Sequence, residues 1–124
     1  MKLKPNMYVR TKSGMIAKII YKGYISDSLH REEIVFILDN GKILTLHSQK
    51  VVKASYNIID LIQVGDYVNG YPVYETIEYP DNTRAIVIDD DNKSIIWEES
   101  SQYIKSIVTK EMFENMKYEV KWNE

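Results

Sequence analysis

Two histidines, His30 and His47, are the candidate metal ligands of this 124-residue sequence, and no cysteine accompanies them. They stand 17 positions apart, with no further His and no Cys at ligand spacing. Structural zinc is held by Cys and His, so a metal site is not expected. His30 reads as a solvated loop residue and His47 as a strand-end residue. The run Asp89-Asp90-Asp91-Asn92 invites a calcium reading. An EF-hand loop needs alternating ligands, a central Gly and a distal Glu. Here the acids are consecutive, no Gly interrupts them, and strand-like segments flank them, so the run reads as a solvated hairpin tip. Ser100-Ser101 follow Glu98-Glu99. A serine nucleophile needs a positioned base on a strand–turn–helix elbow, and neither is encoded nearby. Glycine patterns that cradle phosphates are missing as well. The sequence points to a protein that is not an enzyme and needs no cofactor or metal.

Binding chemistry is better represented. Ten tyrosines are spread along the chain, and in strands most of them should pack with the hydroxyl at the surface. Tyr71, Tyr74 and Tyr79 with Trp97 form the best candidate contact patch. With Asp89, Asp90, Asp91, Glu98 and Glu99 they define an acidic, aromatic face suited to a protein partner with a basic surface. A second candidate is basic: Tyr8, Arg10, Lys12, Lys18 and Lys22, on two adjacent strands, would suit nucleic acid through residues 1–56. The charge balance divides in the same way. Residues 1–56 carry ten Lys/Arg against four acids, a balance of +6, and residues 57–124 carry six against fourteen, a balance of −8. Such asymmetry serves a partner, self-association, or docking of the two halves on one another.

The elements that position these residues come from an internal repeat. Glu32–Thr45 aligns with Arg84–Trp97 at an offset of 52, and Met7-Tyr8-Val9 with Asp66-Tyr67-Val68 at an offset of 59. Each copy predicts five short strands. In the first they are Met7–Thr11, Met15–Tyr21, Ile34–Leu38, Lys42–Leu46 and Val51–Ala54, with a polar loop over Lys22–Arg31. Asn40-Gly41 is the strongest hairpin signal. Asn57 is placed to cap a helical turn over Ile58–Ile62. The second copy predicts Tyr67-Val68, Val73–Tyr79, Ala85–Ile88, Ser94–Trp97 and Tyr103–Val108. Thr109 should cap a short helix over Lys110–Met116, and Lys117–Trp122 should form a last strand that pairs back onto a sheet. The expected fold is mostly β: two tandem units, a basic one over 1–56 and an acidic one over 57–124.

Five short strands with a helical turn in about 55 residues resemble an SH3-like small barrel, with an opening similar to KOW and Tudor-type barrels. The wording of Asn57–Gly70 and Ile104–Glu111 resembles small proteins of phages and prophages of low-GC Gram-positive bacteria. That resemblance implies an accessory role, of which inhibition of host defence in the manner of anti-CRISPRs is one form. It implies the cytoplasm of a bacterial host. The start Met1-Lys2-Leu3-Lys4-Pro5 has no signal-peptide core, and no apolar run reaches the length of a membrane span.

Overall fold

β-branched runs bounded by turn residues become strands along almost the whole chain, as alternating burial demands. The computed structural model describes residues 2–26 and 30–122; Asp27 and Ser28 of the expected polar loop lie outside the described residues. The first sheet contains β1 (Tyr8–Thr11), β2 (Ile16–Ser26), β3 (Arg31–Asp39), β4 (Lys42–His47) and β5 (Val51–Ser55), in the order β4-β3-β2-β1-β5. The second contains β6 (Tyr67–Val68), β7 (Tyr71–Glu78), β8 (Arg84–Ile88), β9 (Ile95–Trp97) and β10 (Ile107–Val108), in the order β9-β8-β7-β6-β10. Every pairing is antiparallel. Strand for strand, the two sheets have one topology, so the repeat is structural. Neither sheet closes into a barrel: β4 and β5 remain edges of one, β9 and β10 of the other.

Register corrects the sequence alignment in one place. Ile19 faces Ile37 in the first sheet, and Val73 faces Ile88 in the second. Val35 and Ile37 lie in one core and Ile86 and Ile88 in the other. β3 therefore superposes on β8 at an offset of 51, not 52. A slip of one residue exchanges the two faces of a strand, so the ungapped alignment matched inward residues to outward ones. The gap is hidden because both runs are apolar throughout.

Three expected elements differ. The Lys22–Arg31 loop is mostly strand, because β2 continues to Ser26 and β3 begins at Arg31. Of the predicted Tyr103–Val108 strand only Ile107–Val108 forms: Tyr103 ends a 3₁₀ segment over Glu98–Tyr103, and residues 104–106 are irregular. Lys117–Trp122 forms no strand. Other elements form as predicted. Asn40 and Gly41 take φ of 49° and 80°, the double left-handed geometry of a type I′ turn. The helix α1 spans Lys110–Met116, and Thr109 Oγ1 accepts the Met112 N–H at 3.2 Å.

What joins the sheets is largely polar. A 3₁₀ turn over Ile58–Leu61 buries Ile59 and Leu61 and touches β1 and β5 on one side and β8 on the other. Arg84 Nη1 donates to the Ile59 carbonyl at 2.8 Å, and Arg10 Nη1 donates to the Leu61 carbonyl at 2.9 Å. Arg10 then closes a two-pronged ion pair across the joint: Nη1 to Asp66 Oδ2 at 2.5 Å and Nη2 to Asp66 Oδ1 at 2.9 Å. Its Nη2 also reaches Glu111 Oε2 at 2.6 Å. Asp66 accepts the backbone N–H groups of Gln63 and Lys110 as well, at 2.7 and 2.9 Å. Thr109 donates its hydroxyl to the Gly14 carbonyl at 2.8 Å. One cation from the first sheet thus gathers the linker, the entry to β6 and the first turn of α1.

Candidate functional site

The acidic, aromatic face is built on β7, β8 and β9. Directly paired residues project from the same side of an antiparallel sheet. Ile77, Ala85 and Trp97 form one such row and Glu75, Val87 and Ile95 the next. The opposite side, with Val73, Ile86, Ile88 and Ile96, is the core. Beyond the strand end, the Tyr79 N–H donates to the Thr83 carbonyl at 3.0 Å and extends the ladder. Parity then sends Tyr79 to the Ile77 side, where its ring stacks on Trp97 at 5.6 Å between centroids and 25° between planes. Tyr79, Pro80, Asp81, Thr83, Trp97 and Glu99 enclose an open cleft of about 530 Å³. Ile95 and Trp97 are exposed beside it.

Asp81 Oδ1 accepts the Thr83 hydroxyl at 2.6 Å and the Thr83 N–H at 3.0 Å. The hydroxyl bond first, and the backbone bond after it, hold its carboxyl below the usual aspartate range. Glu99 is exposed at the rim. Two aromatic faces beside two carboxylates suit a cationic or amphipathic side chain of a partner. Ser100 is held by the backbone of Trp97. Its hydroxyl accepts the Trp97 N–H at 3.0 Å and donates to the Trp97 carbonyl at 3.1 Å, closing the turn that carries Glu98 and Glu99.

The nine residues named from sequence do not form one patch. Tyr79, Trp97, Glu98 and Glu99 lie at one end of β8. Asp89, Asp90 and Asp91 lie at the other, four residues or about 13 Å along the strand. There Lys93 Nζ sits 3.8 Å from the Tyr74 ring centroid and 3.2 Å from Asp89 Oδ1. Tyr74 occupies the bulge between Val73 and Glu75, outside the paired rows, and is exposed. Tyr71 is exposed beside β6. Asp90 is a loop clamp, since it accepts the Ser94 hydroxyl at 2.7 Å and the Asn92 and Ser94 N–H groups at 3.0 and 3.1 Å. These bonds, the Ser94 hydroxyl foremost, lower its pKa. A lowered carboxyl stabilises the fold above its unfolded pKa and loses that contribution as pH falls through the folded value. In an NMR titration Asp90 is expected to protonate below pH about 4, the ordinary aspartate midpoint, and the tip to loosen there; an ordinary midpoint would dismiss the clamp.

The basic set is dispersed. Arg10 is fully buried and spent on Asp66 and Glu111. Lys18 and Lys22 lie an even number of positions apart, which in a regular strand means one face, but the register shift between Ile19 and Tyr21 separates them. Lys18 is opposite Leu38, with Nζ 5.6 Å from the Tyr8 ring centroid, whereas Lys22 is opposite Val35 and 3.7 Å from Glu33. Lys12 is exposed. His47 Nδ1 lies 2.6 Å from Glu32 Oε1. Among the described residues no group of three or more His, Cys, Asp or Glu is gathered as a metal would require. No described helix is long and apolar enough to cross a membrane. A polar groove of about 310 Å³ between the units is lined by Lys53, Ser55, Asp60, Glu78 and Arg84. Its groups are largely spent on each other, with Ser55 donating to Asp60 at 2.5 Å.

Sequence reading missed Ile77, Ile95 and Asp81. A count of two back from Trp97 along the strand would have found Ile95. Compared with protein-family models, curated proteins and solved structures, the chain matches none.

Proposed function

We propose that this protein is a non-enzymatic binding module that docks the outer face of β7–β9 on a protein partner with a basic surface. The observation that carries this reading is the Tyr79–Trp97 stack beside a cleft rimmed by Asp81 and Glu99. Aromatic anchors in a small pocket dominate contact energetics, and surrounding charge steers the approach. An acidic face of this kind competes with nucleic acid for a basic groove. That suits an inhibitor of a host defence or nucleic-acid-handling system, in the manner of the phage and prophage proteins that the wording of Asn57–Gly70 resembles. Each unit is read as an SH3-like module, supported by five short antiparallel strands with a 3₁₀ segment before the last.

Affinity purification from a bacterial host lysate, with nuclease treatment, tests the reading. Trp97→Ala is expected to weaken capture of the partner about 30-fold, as loss of a hot-spot side chain does, and Glu99→Lys to slow association. Nuclease-resistant capture that is equal for wild type and Trp97→Ala would reject this face.

A further inference from the structure

The segment Lys117–Trp122 leaves α1 as extended chain, with Lys117 at φ −71° and ψ 144°, and forms no strand pair. It nonetheless has the alternation of a half-covered strand: Tyr118, Val120 and Trp122 on one side, Glu119 and Lys121 on the other. The three apolar side chains are 88%, 59% and 80% exposed. One strand face carrying two aromatics and a valine in water is a face that lacks its cover. The first sheet meanwhile ends at β4, an edge strand of six residues with Lys42 at one end and no proline to blunt it. Leu38 and Ile43 face each other across β3 and β4 on its outer side and are 48% and 61% exposed.

We propose that Lys117–Trp122 of one molecule adds as a sixth strand to the β4 edge of a second copy, and that reciprocal exchange makes a two-fold dimer. Lengths match, since six residues of strand span about 20 Å on each side. The root of the tail decides between the chain's own edge and another's. Met112, Asn115 and Met116 share a cleft of about 560 Å³ with Asp39 and Asn40, so the tail starts beside the turn from which β4 also starts. Laid on its own β4 it would run parallel. A two-fold mate presents the same edge antiparallel, which is the more stable pairing.

Sedimentation equilibrium of the full chain between about 1 and 300 μM tests the exchange. The mass is expected to rise from monomer to dimer across that range. Val120→Pro, which removes a ladder donor, and Ile43→Lys should each raise the dimer dissociation constant about tenfold or more, with an unchanged circular dichroism spectrum. The native sequence has no cysteine, so Thr45→Cys with Lys121→Cys can be joined by a short bis-maleimide. A covalent dimer on a denaturing gel supports the exchange. A monomer at every concentration, Val120→Pro dimerising like wild type, or an internally joined monomer overturns it. None of these variants touches Trp97, so the outcome is separate from that of the partner-binding face.

Discussion

Asp66→Asn is expected to destabilise the protein by about 3–5 kcal/mol, the cost of removing one partner of a buried ion pair. The substitution keeps the side chain's shape and removes its charge. Arg10 is fully buried, and its Nε already has no hydrogen-bond partner among the described residues. Burial opposes the guanidinium's charge, and it is the bonds to Asp66, with Glu111 after them, that raise its pKa regardless. Arginine cannot discard its proton near neutral pH, so without Asp66 the desolvation cost stays in the folded state. The Gln63 and Lys110 N–H groups lose an ionised acceptor at the same time. Urea unfolding at pH 7 measures the effect. Arg10→Met combined with Asp66→Leu should cost less than the sum of its parts, because the two residues share one interaction. A loss under about 1 kcal/mol for Asp66→Asn would mean that the pair does not hold the units together.

Gly14→Val should cost about 3 kcal/mol or more, from two separable sources. Gly14 sits at φ 89°, where a side chain adds strain of about 1–2 kcal/mol. A Cβ there would also overlap Thr109 Oγ1 and stand 2.8 Å from Glu111 Cβ, in the cap and first turn of α1. Displacing Thr109 breaks its bond to the Gly14 carbonyl and leaves a buried hydroxyl unpaired, adding about 1–3 kcal/mol. Gly41→Ala is the control. Gly41 has a similar φ of 80°, but a Cβ there meets nothing within 4 Å. If the two glycines prove equally tolerant in urea, the contact between Gly14 and α1 is not tight.

Locally encoded features were the legible ones. Asn40-Gly41 and the Thr109 cap each depend on a few neighbouring residues, and both formed where the sequence placed them. Features that depend on register were not legible. The shifts at Ile20 and Tyr74 reverse strand parity midway, and no side-chain pattern announces them. That is why Lys18 and Lys22, an even number of positions apart, do not share a face. Arg10 failed for a different reason. An arginine flanked by Val9 and Thr11 reads as an outward residue unless its counter-ion is known, and Asp66 lies 56 positions away.

The clamp at the joint has a bearing on how the two copies relate. At the offset of 59 that aligns β1 with β6, Arg10 corresponds to Asn69 and Asp66 to Met7. Asn69 spends its side chain inside its own unit, on the Tyr103 carbonyl and the Lys105 N–H, at 2.9 and 2.7 Å. Each copy therefore supplies one half of an unlike pair. Two first copies in tandem would set Arg10 against Met7, and two second copies would set Asp66 against Asn69. A chain of either kind would lack the ion pair at its joint, so the clamp exists only between unlike copies.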